Sequence, residues 1–113
     1  MLIDGDKSEN EACCFLKQEG YRILARNWRT RTGEVDIIAR DGDILVFVEV
    51  KARSSNGFGG PEAAVDLAKQ RRLISAALSF MEVTKCELPT RFDVVAILPG
   101  KVRLYQDAFQ VTD

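Results

Sequence analysis

Two short strings, Gly33-Glu34-Val35-Asp36-Ile37-Ile38 and Val46-Phe47-Val48-Glu49-Val50-Lys51, each set an acid inside a stretch that otherwise reads as core strand. A lone carboxylate buried in such surroundings is strongly disfavoured unless something compensates its charge. A fold that contains both must supply that compensation. Lys51 stands two residues beyond Glu49, and the simplest arrangement that satisfies all three groups is a divalent-cation site.

Strand periodicity brings the acids together. Asp41-Gly42 reads as a two-residue hairpin loop, which sets Asp36 opposite Phe47 and Glu34 opposite Glu49. Opposed residues share a face, so Glu34, Asp36, Glu49 and Lys51 are expected on one side of the hairpin, with Asp36 and Glu49 as diagonal neighbours roughly 7 Å apart at Cβ. Val35, Ile37 and Ala39 are expected on the other side. A hard cation such as Mg²⁺ (or Mn²⁺) takes oxygen ligands and keeps several waters. Asp36 and Glu49 would supply two ligands and the Val50 carbonyl a third. Lys51 would hold an attacking water or offset charge on a phosphorane-like transition state. Each residue also has a plainer role. Glu49 and Lys51 suit a solvated strand face or salt bridges, and Asp36 suits a cap; only the set, in register, points to catalysis.

The surrounding elements predict an α/β chain. Ser8 is expected to cap a helix over Glu9–Glu19 that Gly20 ends. Strands follow at Tyr21–Asn27, Glu34–Arg40 and Ile44–Arg53, the last apolar on both faces until Glu49 and therefore covered on both sides. Residues 54–60 read as a mobile loop. Pro61 suits the start of a helix reaching Glu82, with a fresh start at Asp66 and an apolar face of Ile74, Ala77, Leu78 and Met81. Phe92–Leu98 and Val102–Phe109 complete an αβββαββ sandwich with a mixed central sheet flanked by helices.

At 113 residues the chain is read as a single domain over 1–113. It contains no histidine, which removes Ser-His-Asp and Cys-His catalysis and histidine-type zinc sites. Acid–base chemistry must rest on carboxylates, lysine or coordinated water. The three cysteines lack Cys-x-x-Cys spacing and read as small apolar thiols. With a polar, acidic start and no long apolar run, the expectation is a cytoplasmic protein without a membrane partner. The glycines at 57, 59 and 60 lack the Lys-Ser/Thr ending of a P-loop, so no nucleotide cofactor is expected.

At Asp36 and Glu49-Val50-Lys51 the chain resembles the PD-(D/E)xK nuclease superfamily, with its restriction-endonuclease-like fold. The wider pattern, Glu9 with Ala12 and Phe15-Leu16, Gly20-Tyr21, Gly33-Glu34-Val35-Asp36, Phe47 to Arg53, Lys69 and Arg91-Phe92-Asp93, resembles the YraN family of small bacterial proteins, similar in plan to Holliday junction resolvases. That resemblance implies Asp36 and Glu49 as metal ligands, Lys51 as the catalytic lysine and Glu9 as a further acid brought in from the first helix. It carries Ser8 where the family more often has glycine.

The overall charge of −1 gives no sign of nucleic acid, so any phosphate contact must be local. Arg26, Arg29 and Arg31 surround Trp28, Arg53 follows the Glu-Val-Lys string, and Lys69 opens the second long helix. Arginines interleaved with an aromatic suit phosphate contact and stacking. Asp93 beside Arg91 reads as structural. The expected activity is metal-dependent endonucleolytic hydrolysis of DNA, branched or structured DNA included. The alternative is a catalytically silent nucleic-acid-binding or scaffold module on a nuclease fold. A domain this small acting on two strands has reason to form a homodimer, although no apolar stretch demands it.

Overall fold

The computed structural model describes residues 4–53 and 65–111. The loop expected at 54–60 and the helix start expected at Pro61 lie outside them. The elements run α1 (Asp4–Gln18), β1 (Arg22–Arg29), β2 (Glu34–Asp41), β3 (Ile44–Ala52), α2 (Leu67–Thr84), β4 (Thr90–Leu98) and β5 (Lys101–Phe109). The strands form one mixed sheet in sequential order, antiparallel except for the parallel pair β3–β4. The αβββαββ arrangement is compatible with a restriction-endonuclease-like sandwich.

The sheet is buried on both faces, as the apolar composition of β3 requires. Against α1 lie Ile37, Ala39, Val46, Val48 and Val95; against α2 lie Val35, Ile38, Leu45, Phe47, Phe92 and Val94. On the α2 side an aromatic chain ties helix to sheet. Trp28 meets Phe80 edge-on at 5.2 Å, Phe80 meets Phe47 at 6.2 Å, and Phe47 meets Phe92 at 5.6 Å. Such pairs add about 0.5–1.5 kcal/mol each beyond the area they bury.

Four local expectations are corrected. Helix α1 begins at Asp4, so Ser8 lies inside it rather than capping it; no proline interrupts residues 4–8 and the helix continues through them. The β2–β3 turn uses Gly42-Asp43, with Asp41 paired to Ile44. Gly42 takes φ +61° as the first central residue, the position a type II′ turn reserves for glycine, and this moves the pairing by two residues. A shift of two keeps every side chain on its face. It also takes Glu34 away from Glu49, and Glu34 instead pairs with Arg29 at the sheet edge.

Third, Val35 does not share a face with Ile37 and Ala39. The alternation of β2 breaks at Asp36, and Val35 joins the α2 side. The neighbouring strand kinks at the same level. Asn27, between the pairs Arg26↔Ile37 and Trp28↔Val35, has φ +54°. Fourth, α2 starts afresh at Asp66, whose carboxylate accepts the Lys69 N–H at 2.9 Å, but its buried face is Leu73, Ala76, Ala77 and Phe80. Leu78 points outward, 62% exposed, while Ile74 and Met81 flank the core. Phe80 decides this rotation, because its ring bridges Trp28 and Phe47.

At the hairpin end of the sheet a second buried polar group forms. The Tyr21 hydroxyl donates to Asp93 at 2.7 Å, and Arg91 donates to Asp93 through Nε at 2.9 Å and to Asp41 at 2.9 Å. Gln106 donates to the Tyr21 hydroxyl, and the Asp107 N–H to Asp93. Burial, with the Asp93 contact, pushes the Tyr21 phenol up to about 12. Asp93 and Arg91 are a structural pair, as the sequence suggested.

Candidate functional site

The other end of the sheet, where the parallel strands β3 and β4 finish, gathers the acids. The paired ladder of β2 and β3 stops at Ile37↔Val48. Beyond it the Asp36 carboxylate accepts the Val50 N–H at 2.8 Å. A side chain thus closes the rung the kinked backbone leaves open. In an extended strand a residue's N–H and C=O leave on the same side. The Val50 carbonyl, expected as a ligand, therefore faces this same gap.

Glu49 is 4% exposed. Its Oε2 lies 2.8 Å from the Lys69 ammonium and 3.5 Å from that of Lys51. Lys69 arrives from the first turn of α2. It is held there because α2 packs tightly on the turn before β2. A Cβ at Gly33 would stand 1.8 Å from the Arg72 carbonyl oxygen, so only glycine permits the approach. Thr32 and Ser75 hydroxyls join the same contact.

The electrostatics follow from crowding. Burial first, then the hydrogen bond and charge of Glu49, push Asp36 up to about 8; the Val50 N–H opposes this and the charge of Glu9 adds to it. Burial and the neighbouring Lys69 lower the pKa of Lys51. Burial also works against the charged form of Lys69, but its contact with Glu49 outweighs burial and raises its pKa.

Glu9 reaches the site from α1, 6% exposed. Arg26 Nε and Asn27 Nδ2 both donate to its Oε1 at 2.9 Å. Arg26, expected to meet phosphate, holds Glu9. Asn27 was missed by the sequence reading; the one available signal was a poor strand former within a strand. Arg29 forms an exposed pair with Glu34, and Arg31 lies in the exposed turn before β2. Arg53 is exposed and its backbone N–H donates to Ile97. Of the residues expected to meet phosphate, Arg26 reaches Glu9 and Lys69 reaches Glu49.

Could these residues hold a divalent cation? Among the described residues no three acidic, thiol or imidazole side chains form a ligand group by themselves. The Asp36 and Glu49 carboxylates interact directly, and the Val50 carbonyl would add a third hard oxygen donor beside them. Burial first, and then Glu49, drive Asp36 toward its neutral form, and a cation between the two carboxylates would reverse that. This donor set fits Mg²⁺, which needs only one or two carboxylates and completes its shell with water.

Fold and site together define a small α/β sandwich protein with a half-buried Asp36 beside a buried Glu49 and two lysines at the end of its parallel strands. The chain belongs to the uncharacterised protein family UPF0102, whose model matches residues 8–97. It is 45% identical over 109 residues to a UPF0102 protein of Lachnoclostridium phytofermentans, covering 95% of this chain and 92% of that one. It is 49% identical over 111 residues to one from Symbiobacterium thermophilum, covering 93% and 94%. A third relative, from Thermodesulfovibrio yellowstonii, is 45% identical over 105 residues, covering 93% and 94%. Among the described residues no helix is long and apolar enough to cross a membrane.

Proposed function

We propose that this protein is a divalent-cation-dependent endonuclease that hydrolyses phosphodiester bonds in DNA, branched or structured DNA included, and that it works in the cytoplasm. The observation that carries the proposal is Asp36 held beside Glu49 with the Lys51 and Lys69 ammoniums on Glu49. A half-buried carboxylate crowded against a buried one is unfavourable for folding alone, and perturbed groups of this kind concentrate at functional sites.

Asp36, Glu49 and the Val50 carbonyl would hold the cation, Mg²⁺ or Mn²⁺, which supplies Lewis acidity and an activated water near neutral pH. Lys51 would orient the attacking nucleophile and meet charge developing on the phosphoryl oxygens. Glu9, fixed by Arg26 and Asn27, adds negative charge on the far side of Asp36. Arg29, Arg31 and Arg53 contact phosphates away from the reacting bond.

The test is incubation of the protein with branched, single-stranded and duplex DNA, with Mg²⁺, Mn²⁺ or EDTA. Cleavage is expected only with metal and is expected to vanish in Glu49→Ala and Lys51→Met. Cleavage that persists in Glu49→Ala overturns this site as its source.

One observation supports a second reading, a catalytically silent DNA-binding module. Lysines already compensate Glu49 without any metal. On that reading DNA binds without turnover, and substitution of Arg29 or Arg31 weakens binding more than Glu49→Ala does.

A further inference from the structure

Lys69 sits where a lysine is electrostatically out of place. It is the third residue of α2, in a first turn without an acidic residue, preceded by the capping Asp66, whose carboxylate accepts the Lys69 N–H. Cations at a helix N-terminus oppose the helix dipole. What repays this position is the 2.8 Å pair with Glu49, and the Lys69 charge also reaches Asp36. Lys51 already stands 3.5 Å from the same oxygen, so two ammoniums share one carboxylate oxygen. The two differ in freedom. Lys51 is rooted in β3 with its side chain 19% exposed, whereas Lys69 extends from a helix end and is 38% exposed.

We propose that Lys69 is a placeholder cation. It neutralises Glu49 while no divalent ion is bound, is displaced when one binds, and then carries its charge to a phosphate of the nucleic acid. The proposal rests on the metal-site reading above and adds a regulatory consequence. Metal and nucleic acid each free what the other needs, so each raises the other's affinity through Lys69, as linkage requires.

Isothermal titration with Mn²⁺, without nucleic acid, tests the first half on the full chain and its Lys69→Met, Lys69→Arg and Glu49→Ala variants, each checked for native circular dichroism. Lys69→Met keeps the apolar stem and removes the charge. It is expected to bind Mn²⁺ tighter, by about 5–150-fold, the usual span of coupling between sites. Lys69→Arg, which keeps the charge, should stay near wild type, and Glu49→Ala should lose binding. A wild type that binds too weakly to measure beside a Lys69→Met variant that binds also supports the proposal. Unchanged or weaker binding in Lys69→Met, with Glu49→Ala still deficient, overturns the placeholder and leaves the metal site standing. Binding indifferent to Glu49→Ala, or no binding by any variant, overturns both.

The second half is read by fluorescence anisotropy of a labelled four-way DNA junction with and without Ca²⁺, an ion of the same oxygen preference. Wild type should gain DNA affinity when Ca²⁺ is added, and Lys69→Met should lose most of that gain. A gain of equal size in Lys69→Met overturns the transfer of Lys69 to phosphate.

Discussion

The Asp36 carboxylate accepts the backbone N–H of Val50 across 2.8 Å, one step beyond the last paired rung of β2 and β3. A side chain here does the work of a strand carbonyl. It fixes the acid in the plane of the sheet beside Glu49, where charge repulsion and burial act against it. Backbone bonding and charge crowding fall on the same carboxylate, and substitution separates the two.

Asp36→Asn keeps an oxygen able to accept from Val50 and removes the negative charge. Without metal the variant should melt several degrees above wild type, since each kcal/mol shifts the melting temperature of a domain this size by about 4–8 °C. The rise that Mn²⁺ produces in wild type should disappear in the variant. Thermal denaturation with and without Mn²⁺ reads both effects. A drop in melting temperature without metal would mean that Asp36 anchors an attractive contact.

The pH dependence has a definite sign. Asp36 is raised from 3.8 to about 8 in the folded protein. Between those values the native state holds a proton that the unfolded chain has released, so this group's contribution is fully present at low pH. It is lost as pH rises toward about 8. Other carboxyl groups titrate in the same region, so the comparison is made against Asp36→Asn. The advantage of the variant over wild type in urea denaturation should grow from pH 4 to pH 8 without metal. A constant difference across that range would refute the assignment.

Gly33→Ala probes the approach of α2 to the turn before β2. The added Cβ would meet the Arg72 carbonyl at 1.8 Å, and backbone cannot yield as a flexible side chain can. Overpacking of this kind costs about 1–3 kcal/mol, and the upper part of the range is expected. Because α2 carries Lys69, the variant should also show altered Mn²⁺ affinity by calorimetry. Stability equal to wild type would show that the helix shifts freely.

Asp93→Ala serves as a control at the opposite end of the sheet. The bond to Asp93 is the leading cause of the raised pKa of Arg91, with burial opposing it and the contact with Asp41 adding to it. Removing Asp93 leaves Arg91 and the Tyr21 hydroxyl without their shared buried acceptor. A loss of about 3–5 kcal/mol is expected in urea denaturation, while Mn²⁺ affinity of the folded protein stays unchanged. A loss of metal binding in folded Asp93→Ala would join the two polar clusters.

Much of this molecule was written in local pattern. The alternation in β2, the two-sided apolar run of β3 and the stop at Gly20 predict the order of elements and a sheet covered on both sides. Asp36 and Glu49 meet despite an incorrect hairpin register, because a slip of two leaves them on adjacent strands at nearly the same level and the break at Asp36 turns its carboxylate to the Val50 N–H. Local pattern could not choose between placing Gly42 first or second in the turn, since both satisfy the same dipeptide. Nor could it orient α2, whose apolar residues offer two adjacent stripes; the contact of Phe80 with Trp28 and Phe47 selects one.

The sequence by itself determined the order of elements and that the strands carrying Asp36 and Glu49 are neighbours, because both follow from the repeat of the backbone and the drive to bury apolar side chains. Only the tertiary structure decided that β2 breaks step at Asp36, that Arg26 turns to Glu9, and that Lys69 reaches Glu49. Those outcomes depend on how a helix far along the chain packs against the sheet, and no spacing between neighbouring residues encodes that distance.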